Sequence, residues 1–116
     1  MNKIYEDLTI VTVLYDSSEL INDLLKNLMN FKVIVVDNGN NEQILKKLSD
    51  FKNVRVITQK KNLGYGRAIN FAFEKIKSKY FFVLNPDLVI SEKSIQDLYT
   101  LITKNPDAGI VAPITE

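Results

Sequence analysis

The chain contains no histidine and no cysteine. Without cysteine there are no disulfides, thiolate zinc sites or cysteine nucleophiles, and without histidine no imidazole-based triad can be assembled. Chemistry is left to carboxylates, amides, hydroxyls, Lys, Arg or a hard metal ion. An excess of one charge is missing too. Fifteen basic residues stand against 14 acidic ones, a formal net charge of +1, so the chain as a whole carries no electrostatic footprint for nucleic acid or an anionic membrane, although local patches stay open. Only 4 glycines and 3 prolines occur in 116 residues, with no repeat, linker or low-complexity segment. The opening MNKIYEDLTI lacks the apolar core of a signal peptide, and no apolar run is long enough to span a bilayer. A cytoplasmic protein of one domain, residues 1–116, is the expectation.

What is present is a regular alternation. Residues 8–14, LTIVTVL, form a continuous apolar run that predicts a buried strand, and Asp16-Ser17-Ser18 supplies turn and capping chemistry after it. Ile21, Leu24, Leu25 and Leu28 then recur at i, i+3, i+4 and i+7, predicting an amphipathic helix that ends near Asn30. Strands are expected at Phe31 to Val36, at Val54 to Ile57 and over YFFVL from Tyr80. Between them the pattern predicts a short helix with Ile44, Leu45 and Leu48, and a helix carrying Ile69, Phe73 and Ile76. Ser91 is placed to cap a helix with Ile95, Leu98 and Ile102, which Asn105-Pro106 stops, and Ile110-Val111-Ala112 begins a fifth strand. Strands alternating with helices imply an α/β fold: a mainly parallel sheet of about five strands with helices on both faces, three layers in all.

Each polar cluster follows a strand, where an open α/β sheet binds its ligands. Tyr15-Asp16, Asp37-Asn38, the segment from Asn62 to Arg67, and Asn85 to Asp87 would all meet at one sheet edge. Each also has a plain structural reading. Asp16 can cap a helix, and Asp37-Asn38-Gly39 can close a tight turn. Gly64-Tyr65-Gly66 lacks the full dinucleotide fingerprint and can be a flexible helix entry, yet Arg67 in the first helical turn could meet a diphosphate beside the backbone N–H groups. Asn70 can be a solvated polar residue, and Glu92 and Asp97 read as solvated helix residues. Asp87 says most, because a carboxylate beside a buried strand end must be solvated, paired or bound to metal. Mg2+ and Mn2+ suit oxygen ligands and bind through one or two carboxylates plus substrate phosphates, so one Asp suffices when a nucleotide diphosphate brings the rest.

In this order the segments resemble the amino-terminal half of a family 2 glycosyltransferase with the GT-A fold, of the rhamnosyltransferase type. TIVTVLYDSSELINDLLKNL is similar to the first strand, base loop and first helix of that family, and VIVVDNGN to its second strand with a base-contacting aspartate. NLGYGRAIN resembles the segment carrying Asn62, Gly64 and Asn70, and FFVLNPDLVI the metal motif in Asn-Pro-Asp form. The resemblance implies a Rossmann-like nucleotide-sugar-binding domain taking a UDP- or dTDP-sugar with Mg2+ or Mn2+ for transfer to a glycan acceptor in polysaccharide biosynthesis. It gives Asp37 the base, Tyr15 a stacking or edge contact with it, and Asp87 the metal and diphosphate; Asn85 stands where many relatives have the first Asp. In that family the acceptor site and general base follow the metal motif over a stretch longer than residues 88–116. The chain thus reads as truncated, with its general base outside it. A homodimer, a partner chain and peripheral attachment at the inner face of a membrane stay open as partners; nucleic acid is not expected.

Two other readings compete. A catalytically incompetent module that binds a nucleotide sugar would share the fold. A phospho-receiver domain has similar length and strand order, but it needs an Asp after the third strand and a Lys after the fifth. Thr58-Gln59-Lys60 and Ala112-Pro113-Ile114 stand there instead.

Overall fold

The computed structural model describes residues 3–14, 18–37, 46–58, 64–85 and 90–105. A single helical turn, α1 (Ile4–Asp7), leads into β1 (Leu8–Leu14); α2 (Ser18–Lys26) and β2 (Lys32–Asp37) follow. Residues 46–48 are helical. Then come β3 (Val54–Thr58), α3 (Tyr65–Phe73), β4 (Tyr80–Leu84) and α4 (Glu92–Lys104). The four strands form one parallel sheet in the order β3-β2-β1-β4. The fold is thus the expected α/β one. The expected fifth strand at Ile110 to Ala112, and Ile44 and Leu45, lie outside the described residues.

The apolar strand runs are explained by covering on both sides. Every residue of β1 is buried, as a strand paired at both edges and packed on both faces requires. One face of the sheet presents Leu8, Ile10, Leu14, Val33, Val35 and Leu84 to Leu24, Leu25 and Leu28 of the α2 segment, to Leu48, and to Ile95 of α4. The other presents Val11, Val13, Ile34 and Val36 to Ala68 and Ala72 of α3. Two small residues one turn apart let α3 lie close on the strands. Leu25 and Leu28 are fully buried, and each such side chain stabilises the fold by roughly 1.5–3 kcal/mol.

Several expected details move. The second helix stops at Lys26, and Leu28 and Phe31 are carried inward by successive turns whose N–H groups bond three residues back. Phe31 precedes β2 instead of opening it, and its ring meets Tyr5 edge-on at 5.0 Å. Phe73, expected on the buried stripe of α3, is 56% exposed; Ala68 and Ala72 take the sheet-facing positions, flanked by Ile69 and Ile76. The apolar weight of phenylalanine masked an alanine stripe.

Long-range polar bonds fasten the amino edge of the sheet. Tyr5 Oη donates to Glu92 Oε1 at 2.5 Å, and Asn30 Nδ2 donates to the same oxygen at 3.3 Å. Glu92 is therefore a tie between α4 and the residues before β1 and β2, which corrects its reading as a solvated side chain. Asp97 is the exposed residue expected, paired with Lys93 at 3.0 Å. Asn53 Nδ2 donates to the carbonyls of Leu28 and Phe31 at 2.9 and 2.8 Å. Thr9 Oγ1 and Ser78 Oγ share a hydrogen bond of 2.7 Å.

Two predictions concern stability. Thr12 is fully buried in β1 between Val35 and Leu84, and its Oγ1 has no hydrogen-bond partner among the described residues. An unsatisfied buried hydroxyl costs about 1–3 kcal/mol. Thr12→Val keeps the shape and should raise the unfolding free energy by that order in a urea titration; a loss of stability would reveal a partner for the hydroxyl.

The second involves Tyr99, whose Oη donates to Asp7 Oδ2 at 2.9 Å. Burial first, then the bond to Asp7 and the negative charge there, then Tyr80, push the phenol up from 10.0 to about 12. The folded chain holds this proton more tightly than the unfolded one, so the contribution is complete below pH 10 and is lost as pH rises through about 12. Alkaline unfolding followed by circular dichroism should be steeper over that window for the unaltered chain than for Tyr99→Phe.

Candidate functional site

From β1 the chain steps outward to β2 and β3, then returns to the far side of β1 as β4. This reversal is a topological switch point, and open α/β sheets bind ligands in the crevice outside the carboxyl ends of the strands there. The register fixes which residues reach that edge: Leu14 lies beside Asp37, and Asp37 beside Thr58, while Leu84 lies beside Thr12 and is followed by Asn85.

Asp37 ends β2 and has no exposed surface. A ligand reaches its carboxylate only when the cover over it shifts. Asn85 is exposed at the end of β4. Gly64, Arg67 and Asn70 belong to α3, which starts at this same edge. Arg67 is exposed in the first turn, and Asn70 is exposed one turn further from the edge. Tyr15, Asp16, Asn62 and Asp87 lie outside the described residues.

The start of α3 differs from that of α4 in a way that bears on binding. At α4 the helix caps itself: Ser94 N–H donates to Ser91 Oγ at 3.1 Å, Glu92 lies in the first turn and Lys104 in the last. These charges match the helix dipole. At α3 the N-cap is Gly64, which offers no side-chain bond, and the first turn has no acidic residue. Arg67 instead puts a cation beside the positive end of the dipole, which disfavours the helix slightly unless an anion is present.

No three His, Cys, Asp or Glu side chains converge among the described residues. An all-protein metal cage is therefore not the arrangement there. Asn85 offers an amide oxygen at this edge, a donor that fits a hard divalent ion sharing its shell with substrate phosphates. Sequence reasoning passed over Thr58, exposed beside Asp37 at the end of β3; the only signal for it is its place as the last residue of an apolar run.

The geometry is that of a Rossmann-like parallel sheet, and comparison with known proteins gives the family. The model of glycosyl transferase family 2 matches residues 9–116, and the chain belongs to that family. It is 30% identical to a teichoic acid poly(glycerol phosphate) polymerase of Staphylococcus epidermidis over 98% of this chain and 16% of that protein. It is 29% identical to the low-salt glycan biosynthesis hexosyltransferase Agl10 of Haloferax volcanii over 93% of this chain and 36% of that one. The chain thus spans about a sixth to a third of the length of these relatives. Its fold is shared with a mannosyltransferase from Pyrobaculum calidifontis solved with GDP-Man and Mn2+, with a TM-score of 0.72 and 14% identity over 83% of this chain and 32% of that one.

Gly64 yields a prediction about how the site is built. Its φ of 84° and ψ of 166° lie in a region essentially restricted to glycine, while a Cβ there would meet nothing within 4 Å. The requirement is conformational, not spatial. Gly64→Ala should destabilise the chain by about 1–3 kcal/mol through backbone strain alone. Gly66, inside α3 with equal open space, is the control: Gly66→Ala should be neutral or stabilising by up to about 1 kcal/mol. Paired urea titrations read the difference.

Proposed function

We propose that the chain is the donor-binding part of a glycosyltransferase, holding a nucleoside diphosphate sugar at the carboxyl edge of the sheet with Mg2+ or Mn2+. The observation that carries this reading is that Asp37, Asn85 and a helix start with glycine at its N-cap and Arg67 in its first turn lie at one edge of the sheet. In this reading Arg67 and the backbone N–H groups of the first turn of α3 receive the diphosphate, and Asp87 with Asn85 holds the ion. When bound, the ion stabilises the charge that grows on the departing diphosphate without a proton donor, which suits a chain with no histidine. Asn62 and Asn70 flank the diphosphate segment, and Tyr15 and Asp16 line the base.

The base is read as uracil or thymine, whose ring N–H can donate to the Asp37 carboxylate. Guanine also presents N–H donors, and the mannosyltransferase of the same fold was solved with GDP-Man, so the test must separate them. Transfer to a glycan acceptor would draw its general base from outside this chain.

Titration calorimetry of UDP, dTDP and GDP, with and without Mg2+ or Mn2+, checks the reading. Metal should tighten binding to the unaltered chain, and Asp87→Ala should remove that gain. Asp37→Asn exchanges a charged acceptor for a neutral amide and should weaken the preferred nucleotide by roughly tenfold to a hundredfold, the value of a hydrogen bond to a charged group. Equal affinity in every arm would exclude the metal and base roles together.

A further inference from the structure

The end of α3 and the start of β4 form a surface that donor binding does not use. Phe71, Phe73 and Phe81 are 38%, 56% and 40% exposed, and the rings of Phe73 and Phe81 meet edge-on at 5.3 Å. Lys75, Lys77 and Lys79 lie exposed in the connection between them, against a single acid, Glu74. Lys75 Nζ stands 5.7 Å from the centre of the Phe71 ring and Lys79 Nζ 5.6 Å from that of Tyr80, so cations lie beside aromatic rings along this edge. The chain as a whole is nearly neutral, which makes this a local concentration of positive charge and not a general one.

We propose that this basic, aromatic patch docks the protein on an anionic phospholipid surface. Phenylalanine has no polar group to satisfy, so its exposed edge can enter the boundary between headgroups and acyl chains, while lysines beside it meet the lipid phosphates. A second copy of the chain fits less well. A two-fold interface would bring two copies of the patch, each with Lys75, Lys77 and Lys79, against one another, and like charges brought close oppose association. The patch lies at the amino edge, where Tyr80 begins β4 beside Leu8, and the candidate donor site lies at the opposite edge. Docking through the patch therefore leaves the nucleotide crevice open to solution, and the inference stands or falls independently of the donor reading.

Vesicle co-sedimentation of the full chain tests this, with phosphatidylcholine alone and phosphatidylcholine mixed with phosphatidylglycerol. Binding should need the anionic lipid and should fall with added salt. Each lysine near such a surface is worth roughly fivefold in partitioning, so Lys75→Gln, Lys77→Gln and Lys79→Gln together should lower binding on the order of a hundredfold. Phe73→Ser, at an exposed position, should lower it by about tenfold or more. Thermal unfolding of both variants confirms that they remain folded. Absence of binding to anionic vesicles, or binding unchanged in both variants, would overturn the proposal. So would light scattering that shows a dimer dissolved by Phe73→Ser in a chain that ignores vesicles, which would assign the patch to a second copy.

Discussion

The placement of β1 governs the rest of the structure. Like β2, it has parallel partners on both sides, Thr9 to Leu14 running beside Lys32 to Asp37 and Leu8 to Thr12 beside Tyr80 to Leu84. Its pairing fixes the register on each side, and through β2 it fixes β3. Because a one-residue slip would turn each strand's other face toward each layer, two packed faces make that register hard to shift. The crevice follows from the same fact. The order of the strands reverses at β1, with β2 and β3 on one side and β4 on the other, so the place where an open α/β sheet takes its ligand is set by topology before any polar side chain is considered.

The two edges of the sheet are built for different tasks. The side-chain bonds that join distant parts of the sequence gather at the amino edge, where Tyr5, Asn30 and Glu92 meet, Tyr99 reaches Asp7, and Asn53 holds the carbonyls before β2. Each is worth only about 1 kcal/mol net, but together they set α4 and the turns before the strands in one arrangement. The carboxyl edge carries Asp37, Asn85 and the open start of α3. Loops at such an edge can differ in chemistry while the frame behind them stays the same.

Much of the frame was legible because burial leaves a periodic trace. LTIVTVL is a strand at the bounds expected from its apolar run, and Ser91 caps α4 as its position before Ile95 and Leu98 implied. Reading failed where apolar size and apolar placement part company. Phe73 has the period of a core residue and lies outside, while Ala68 and Ala72, too small to weigh in a hydropathy pattern, touch the sheet. Glu92 shows the same limit for polar residues, since no local pattern announces a bond to Tyr5 across most of the chain. α1 went unread because four residues hold too little periodicity to be seen. Of the site, the strand ends that carry Asp37 and Asn85 lie on one edge as expected, because parallel strand direction follows from the alternation, while the strand order, with β1 between them, does not. The burial of Asp37 was not expected, because it depends on what packs over a strand end.

The two helix starts show why that edge is better understood through a ligand than through folding alone. A sequence selected only for stability would treat them alike, with a side-chain cap and an acid in the first turn, each worth a fraction of a kcal/mol to about 2 kcal/mol. At α4 both devices are present, and the helix lies at the fastened end of the sheet. At α3 both are missing, a glycine in a backbone region few residues adopt takes the cap, and Arg67 adds a positive charge where the dipole is already positive. Each choice is mildly unfavourable for the isolated chain, and all three favour one thing, a negatively charged group approaching the backbone closely. An anion at that position would offset the positive end of the helix dipole and lie beside the Arg67 guanidinium. Local rules of helix stability are therefore broken at a helix terminus that lies at the carboxyl edge of the sheet, where proteins commonly break them for function.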